Sequence, residues 1–110
     1  MPRGIYRYAF DRRIAFSTVL DTLNLAVIGA ESLHGEARVR LDARFVNEPA
    51  KRAVVIDTTT AVGKAVNTLF AGFAAREFGD HAFSVHRNPT RNPLHPPHSS
   101  QPPTAKKGRP

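Results

Sequence analysis

The run Val54-Val55-Ile56-Asp57-Thr58-Thr59-Thr60-Ala61-Val62-Gly63-Lys64 joins an apolar stretch to three hydroxyls and a lysine. Read as a strand, a turn and a helix start, it gathers free backbone N–H groups, threonine hydroxyls and an ammonium at one point. That chemistry suits a phosphate or carboxylate. Asp57, Thr58, Thr59, Thr60 and Lys64 are the candidate anion-binding residues. A Walker-type phosphate loop is not formed, because it needs Gly where Thr58 stands and Ser or Thr where Ala65 stands. The competing structural reading has Asp57 and the threonines capping the helix, worth about 1 kcal/mol.

A second group of charged side chains lies between Glu36 and Phe45. Ala37, Val39, Leu41, Ala43 and Phe45 alternate there with Glu36, Arg38, Arg40, Asp42 and Arg44. The alternation predicts a strand over 36–45 with one face buried and one wet. On that wet face Arg38, Arg40 and Arg44 are candidates for nucleic-acid contact, with Glu36 and Asp42 partly cancelling them. RNA-recognition sheets also need stacking aromatics on their central strands. Tyr6 and Tyr8 could supply these only from the open face of the sheet, and the 51–57 strand has no aromatic.

Other chemistry is sparse. Of His34, His81, His86, His95 and His98, none forms the helical i, i+4 pair of a zinc site, and no cysteine is present. No metal, no cofactor and no catalytic residue is therefore expected. His34 beside Gly35 reads as the end of a helix, where the dipole favours it. Nothing resembles a nucleophile elbow or an activated dyad.

The elements that must position these residues follow from periodicity. Ile5 to Phe10 is an aromatic strand. Phe16, Val19, Leu20, Leu23, Ala26, Val27 and Ala30 mark one face of a helix over about 17–34, with Ser17 or Thr18 as its cap and Gly35 as its stop. The strand over 51–57, apolar without alternation at its centre, suits a central position buried on both faces. Val62, Val66, Leu69, Phe70, Phe73 and Ala74 make the stripe of a second helix ending at Gly79. Ala82 to His86 forms a last strand, with Phe83 and Val85 inward. The order strand-helix-strand-strand-helix-strand predicts an α+β, ferredoxin-like βαββαβ sandwich: a four-stranded antiparallel sheet with two helices on one face.

Composition sets the remaining bounds. The 110 residues carry a formal charge of +7, yet all nine acids lie before position 81. Residues 87–110 hold five Lys and Arg, no acid, and seven of the nine prolines. Such a segment cannot bury enough apolar surface to order itself. We expect one α/β domain over 1–87 and a disordered, basic, Pro-rich tail over 88–110, in which Pro93-Leu94-His95-Pro96 is a PxxP segment. The start lacks a secretion-signal core, and Leu23 to Ala30 is too short to span a bilayer, so a cytoplasmic protein without membrane contact is expected. Three functions remain open: a non-enzymatic interaction module with a protein partner or homodimer, including one paired through the sheet; weak nucleic-acid binding through the tail and the arginine face; and an anion-binding domain or small enzyme at 57–64.

Overall fold

The computed structural model describes residues 4–88. The expected tail beyond Asn88, with its PxxP segment, His95 and His98, lies outside them. In chain order the elements are β1 (Ile5–Phe10), α1 (Phe16–His34), α2 (Glu36–Asp42), β2 (Phe45–Glu48), β3 (Ala53–Asp57), α3 (Ala61–Phe78) and β4 (Phe83–Asn88), with short 3-10 turns at Pro49–Lys51 and Asp80–Ala82. The fold is α+β. Its four strands lie in the order β2-β3-β1-β4, and every neighbouring pair is antiparallel.

Register decides which side chains meet the helices. Tyr8 stands opposite Val54 and Val85, and Tyr6 opposite Ile56 and Arg87, so these residues share one face of the sheet. Tyr8, Phe10, Val54 and Ile56 pack there against Val19, Leu23, Ala26 and Ala30 of α1 and Val62, Val66, Phe70 and Ala74 of α3. The aromatics meet edge to face, Tyr8 on Phe70 at 4.9 Å and Phe10 on Phe78 at 5.8 Å between ring centroids. Both tyrosines thus point to the helices, Tyr8 fully buried and Tyr6 packed against the core. The open face has no stacking aromatic from β1.

The strand expected over 36–45 is corrected to helix α2 followed by the short strand β2. Gly35, at φ 90°, ends α1 and restarts the chain as α2. Ion pairs at i, i+4 then hold the turn, Arg40 to Glu36 at 3.1 Å and Arg38 to Asp42 at 2.7 Å. Residues two apart on a helix lie on nearly opposite sides, so Val39 is buried while Leu41 is 69% exposed. The sheet therefore carries three helices rather than two. At the start of α1 the expected Ser17 or Thr18 cap is replaced by Ala15, which makes no side-chain cap. Val85 shares Tyr8's face but is exposed, on the edge strand β4.

One polar contact crosses this core: the Tyr8 hydroxyl donates to Asn67 Oδ1 at 2.6 Å, with both residues buried. Burial holds the phenol well above the ordinary tyrosine range, so it stays protonated and donating. Tyr8→Phe removes the bond where water does not reach. It is expected to lower unfolding stability by about 1–2 kcal/mol in chemical denaturation. Unchanged stability would mean that the bond contributes nothing net.

Candidate functional site

The threonine-rich turn between β3 and α3 brings the expected anion-binding residues together, and the fold engages most of their polar atoms. Asp57 is buried, and its Oδ1 accepts from the Thr59 amide at 2.8 Å and the Thr59 hydroxyl at 2.7 Å. Thr58 is fully buried; its hydroxyl accepts from the Gly4 amide at 3.0 Å and lies 2.9 Å from the Gly4 carbonyl, tying the start of β1 to the turn. Thr60 caps α3 by accepting from the Gly63 amide at 2.9 Å, while its hydroxyl donates to the Asp42 carbonyl at 3.1 Å. Lys64 follows on the first turn of α3, half-buried. The carboxylate of Asp57 belongs to the same turn, where it opposes the charge of an incoming anion.

The candidate arginines come close to this turn, though not on a sheet face. Arg38 and Arg40 lie on α2 with their charges met by Asp42 and Glu36. The Arg44 guanidinium donates to the Leu41 carbonyl at 2.7 Å and to that of Ala43 at 3.2 Å. Its own carbonyl accepts from the Asp57 amide at 2.9 Å, which joins the two candidate clusters through the backbone.

The face of the sheet turned away from the helix core carries Ile5, Arg7 and Ala9 of β1, Val46 and Glu48 of β2, Ala53 and Val55 of β3, and Ser84 and His86 of β4. Arg7 and Glu48 pair at 3.2 Å although β3 separates their strands. The ion pair therefore reaches across β3, and Val55 beneath it is only 8% exposed. Val46, beyond the pair, is 45% exposed.

The helical layer has a more apolar feature. Thr22, Leu25, Ile28 and Gly29 of α1 and Phe73, Arg76 and Glu77 of α3 line an open groove of about 350 Å3. Leu25 is 58% exposed and Ile28 52%. Neither belongs to the stripe that packs α1 on the sheet, and that surplus was the available sequence signal for this surface. At the opposite end from the threonine turn, the Arg52 backbone adopts the left-handed conformation at φ 53°. Its Nη2 donates to the carbonyls of Asp11, at 3.0 Å, and of Ile14. The β2–β3 connection is thereby clamped to the turn between β1 and α1. Arg13 pairs with Asp11 at 3.0 Å.

His34 lies in the last turn of α1, His81 in the turn before β4, and His86 opposite Arg7 on β4. Among the described residues no group of three or more His, Asp and Glu is placed to hold a metal ion. No described helix is long and apolar enough to cross a membrane. Compared with protein-family models, curated proteins and solved structures, the chain matches none.

Two expectations follow from these turns. A Cβ at Gly63 would lie 2.0 Å from the Asp57 carbonyl oxygen, whereas one at Gly72 would meet nothing within 4 Å. Gly63→Ala should therefore cost about 3 kcal/mol or more by overpacking against backbone. Gly72→Ala should gain about 0.5–1 kcal/mol from helix propensity. Denaturation curves of the two variants, shifted in opposite directions, check the contrast. At the other end, hydrogen bonds from Arg13 hold the Asp11 carboxyl down at about 2. A depressed carboxyl stabilises the fold at pH values above its ordinary range, and that contribution is lost as pH falls from about 4 towards 2. An NMR titration should place Asp11 near 2, rising towards the ordinary range in Arg13→Ala.

Proposed function

We propose that this chain is a small protein-interaction module, pairing with a second copy of itself through the groove between α1 and α3. The observation that carries the proposal is the groove's composition. Exposed Leu25 and Ile28 line it together with Gly29 and Phe73, and Arg76 and Glu77 of the same lining supply both signs of charge. An interface between two copies of one patch must offer both knob and hole, and both charges, on the same surface. Exposed apolar side chains gathered on one groove mark interaction surfaces more often than solitary ones do.

Pairing through the sheet has less support, because the Arg7–Glu48 ion pair covers the middle strand and would need desolvation on burial. We also read the architecture as ferredoxin-like. The sheet order β4-β1-β3-β2, with α1 and α3 as the two crossover helices, supports that topology, and α2 is then an addition between α1 and β2.

Sedimentation velocity of the full chain over a range of concentrations tests the pairing. The wild type is expected to dimerise, Ile28→Lys to remain monomeric with an unchanged circular dichroism spectrum, and Val46→Lys to dimerise like the wild type. Loss of the dimer in Val46→Lys alone would move the interface to the sheet. A wild type that stays monomeric throughout would overturn self-association.

A further inference from the structure

The described residues 4–88 hold eleven Lys and Arg against nine Asp and Glu, and the excess is local. Arg12, Arg13, Lys51 and Arg52 lie on two adjoining turns at one end of the sheet, joined by the hydrogen bond from the Phe10 amide to the Arg52 carbonyl at 2.9 Å. The acids at that end are Asp11, Asp80 on the neighbouring turn, where the Asp11 amide bonds the Ala82 carbonyl at 2.8 Å, and Glu48, which is paired with Arg7. With the neutral Arg7–Glu48 pair counted outside this group, the rest of the described chain has seven basic residues against seven acidic ones. The domain's net positive charge is thus that of this one end.

The hydrogen bonding leaves that charge available. Asp11 is taken by Arg13, and among the described residues no ion pair involves Arg12, Lys51 or Arg52. Arg52 directs Nη2 to two backbone carbonyls, and its buried Nε has no partner among the described residues. Arg12 and Lys51 are exposed. The first turn of α1, which begins beside them, holds no acid and has no side-chain cap, so the positive end of its dipole adds to the field.

We propose that these two turns form a contact surface for the phosphate backbone of nucleic acid. The guanidinium fork of Arg12 and the ammonium of Lys51 suit phosphate oxygens, and such contacts bind without reading sequence; Arg13, like the arginines of α2, is already held by a carboxylate. A nucleic acid is favoured over a compact acidic ligand because the cations are spread over two turns. The arginines at 38, 40 and 44 are excluded from this surface, since acids or backbone carbonyls already occupy them.

Fluorescence anisotropy of the full chain with a short labelled DNA duplex, at salt from about 50 to 200 mM, tests the proposal. Two double variants remove the same net charge: Arg12→Gln with Lys51→Gln, and Arg40→Gln with Arg44→Gln. The first is expected to weaken binding roughly tenfold at low salt and to flatten the log–log salt slope by about one unit for each phosphate no longer neutralised. The second should stay within about twofold of the wild type, as its side chains already have partners on the protein. Equal weakening in the two variants would show a response to net charge alone and overturn the surface. So would an unchanged affinity in the first variant, or no binding by the wild type at low salt.

Discussion

The approach of the Asp57 carbonyl to Gly63 fixes this fold. α3 can begin where it does only because residue 63 has no side chain, and a methyl group there would overlap a backbone oxygen. With that contact made, Thr60 reaches the Gly63 amide on one side and the Asp42 carbonyl on the other, which sets α2 against the start of α3. Thr58 ties the same turn to Gly4, which brings in the first strand. Three segments distant in sequence are thus joined by two hydroxyls and one glycine. A hydroxyl fully buried in such a joint, as that of Thr58 is, is strongly held, since breaking its bond there leaves a polar group with neither a protein partner nor water.

The same joint explains why residue type alone misleads about chemistry here. Asp, Thr, Thr, Thr and Lys after an apolar strand are the groups that a phosphate site uses, and they are also the groups that close a helix onto a sheet. Sequence shows the inventory but not the partners. The arginines at 38, 40 and 44 present the same difficulty. Whether Arg38 and Arg40 are available to a ligand depends on whether their neighbours at i+4 and i−4 are close, which holds on a helix and fails on a strand. The periodicity of residues 36–45 therefore carries the functional reading with it. Assigning a strand leaves three aligned cations, whereas the helix leaves two ion pairs.

Where periodicity was unambiguous the architecture was legible. α1 and α3 follow from stripes of apolar residues at three and four, with glycines at their ends, and β3 follows from an unbroken β-branched run. The stretch 36–45 was harder because the period of two within its first seven residues rests on Ala37, Val39 and Leu41, of which Ala and Leu are good helix formers. The counter-signal was present in Glu36 with Arg40 and Arg38 with Asp42, at helical spacing and opposite in sign. Leu25 and Ile28 were likewise visible as apolar residues outside the packing stripe of α1. Their meaning needed the third dimension, since only the position of Phe73 shows that they border a hollow. The basic end was least legible of all. Arg12 and Lys51 are 39 positions apart in the chain, and only the antiparallel pairing of β1 with β3 brings their turns together.

α1 links the two proposed surfaces. Its N-terminal end sits beside Arg12 and Arg13, while Thr22, Leu25, Ile28 and Gly29 along its length line the groove. The groove begins about two turns of helix beyond the basic end, a rise of roughly 9 Å. The groove lining does not include Arg12, Arg13, Lys51 or Arg52. Pairing of two copies would also place two such ends on one particle, and the salt-dependent attraction of each for phosphate would then act on the same polyanion, where a second contact forms at the effective concentration set by the first. Small exposed cationic surfaces bind weakly alone because each phosphate contact is screened. Self-association is a physical route by which a modest local excess of charge gains avidity without any further basic residue.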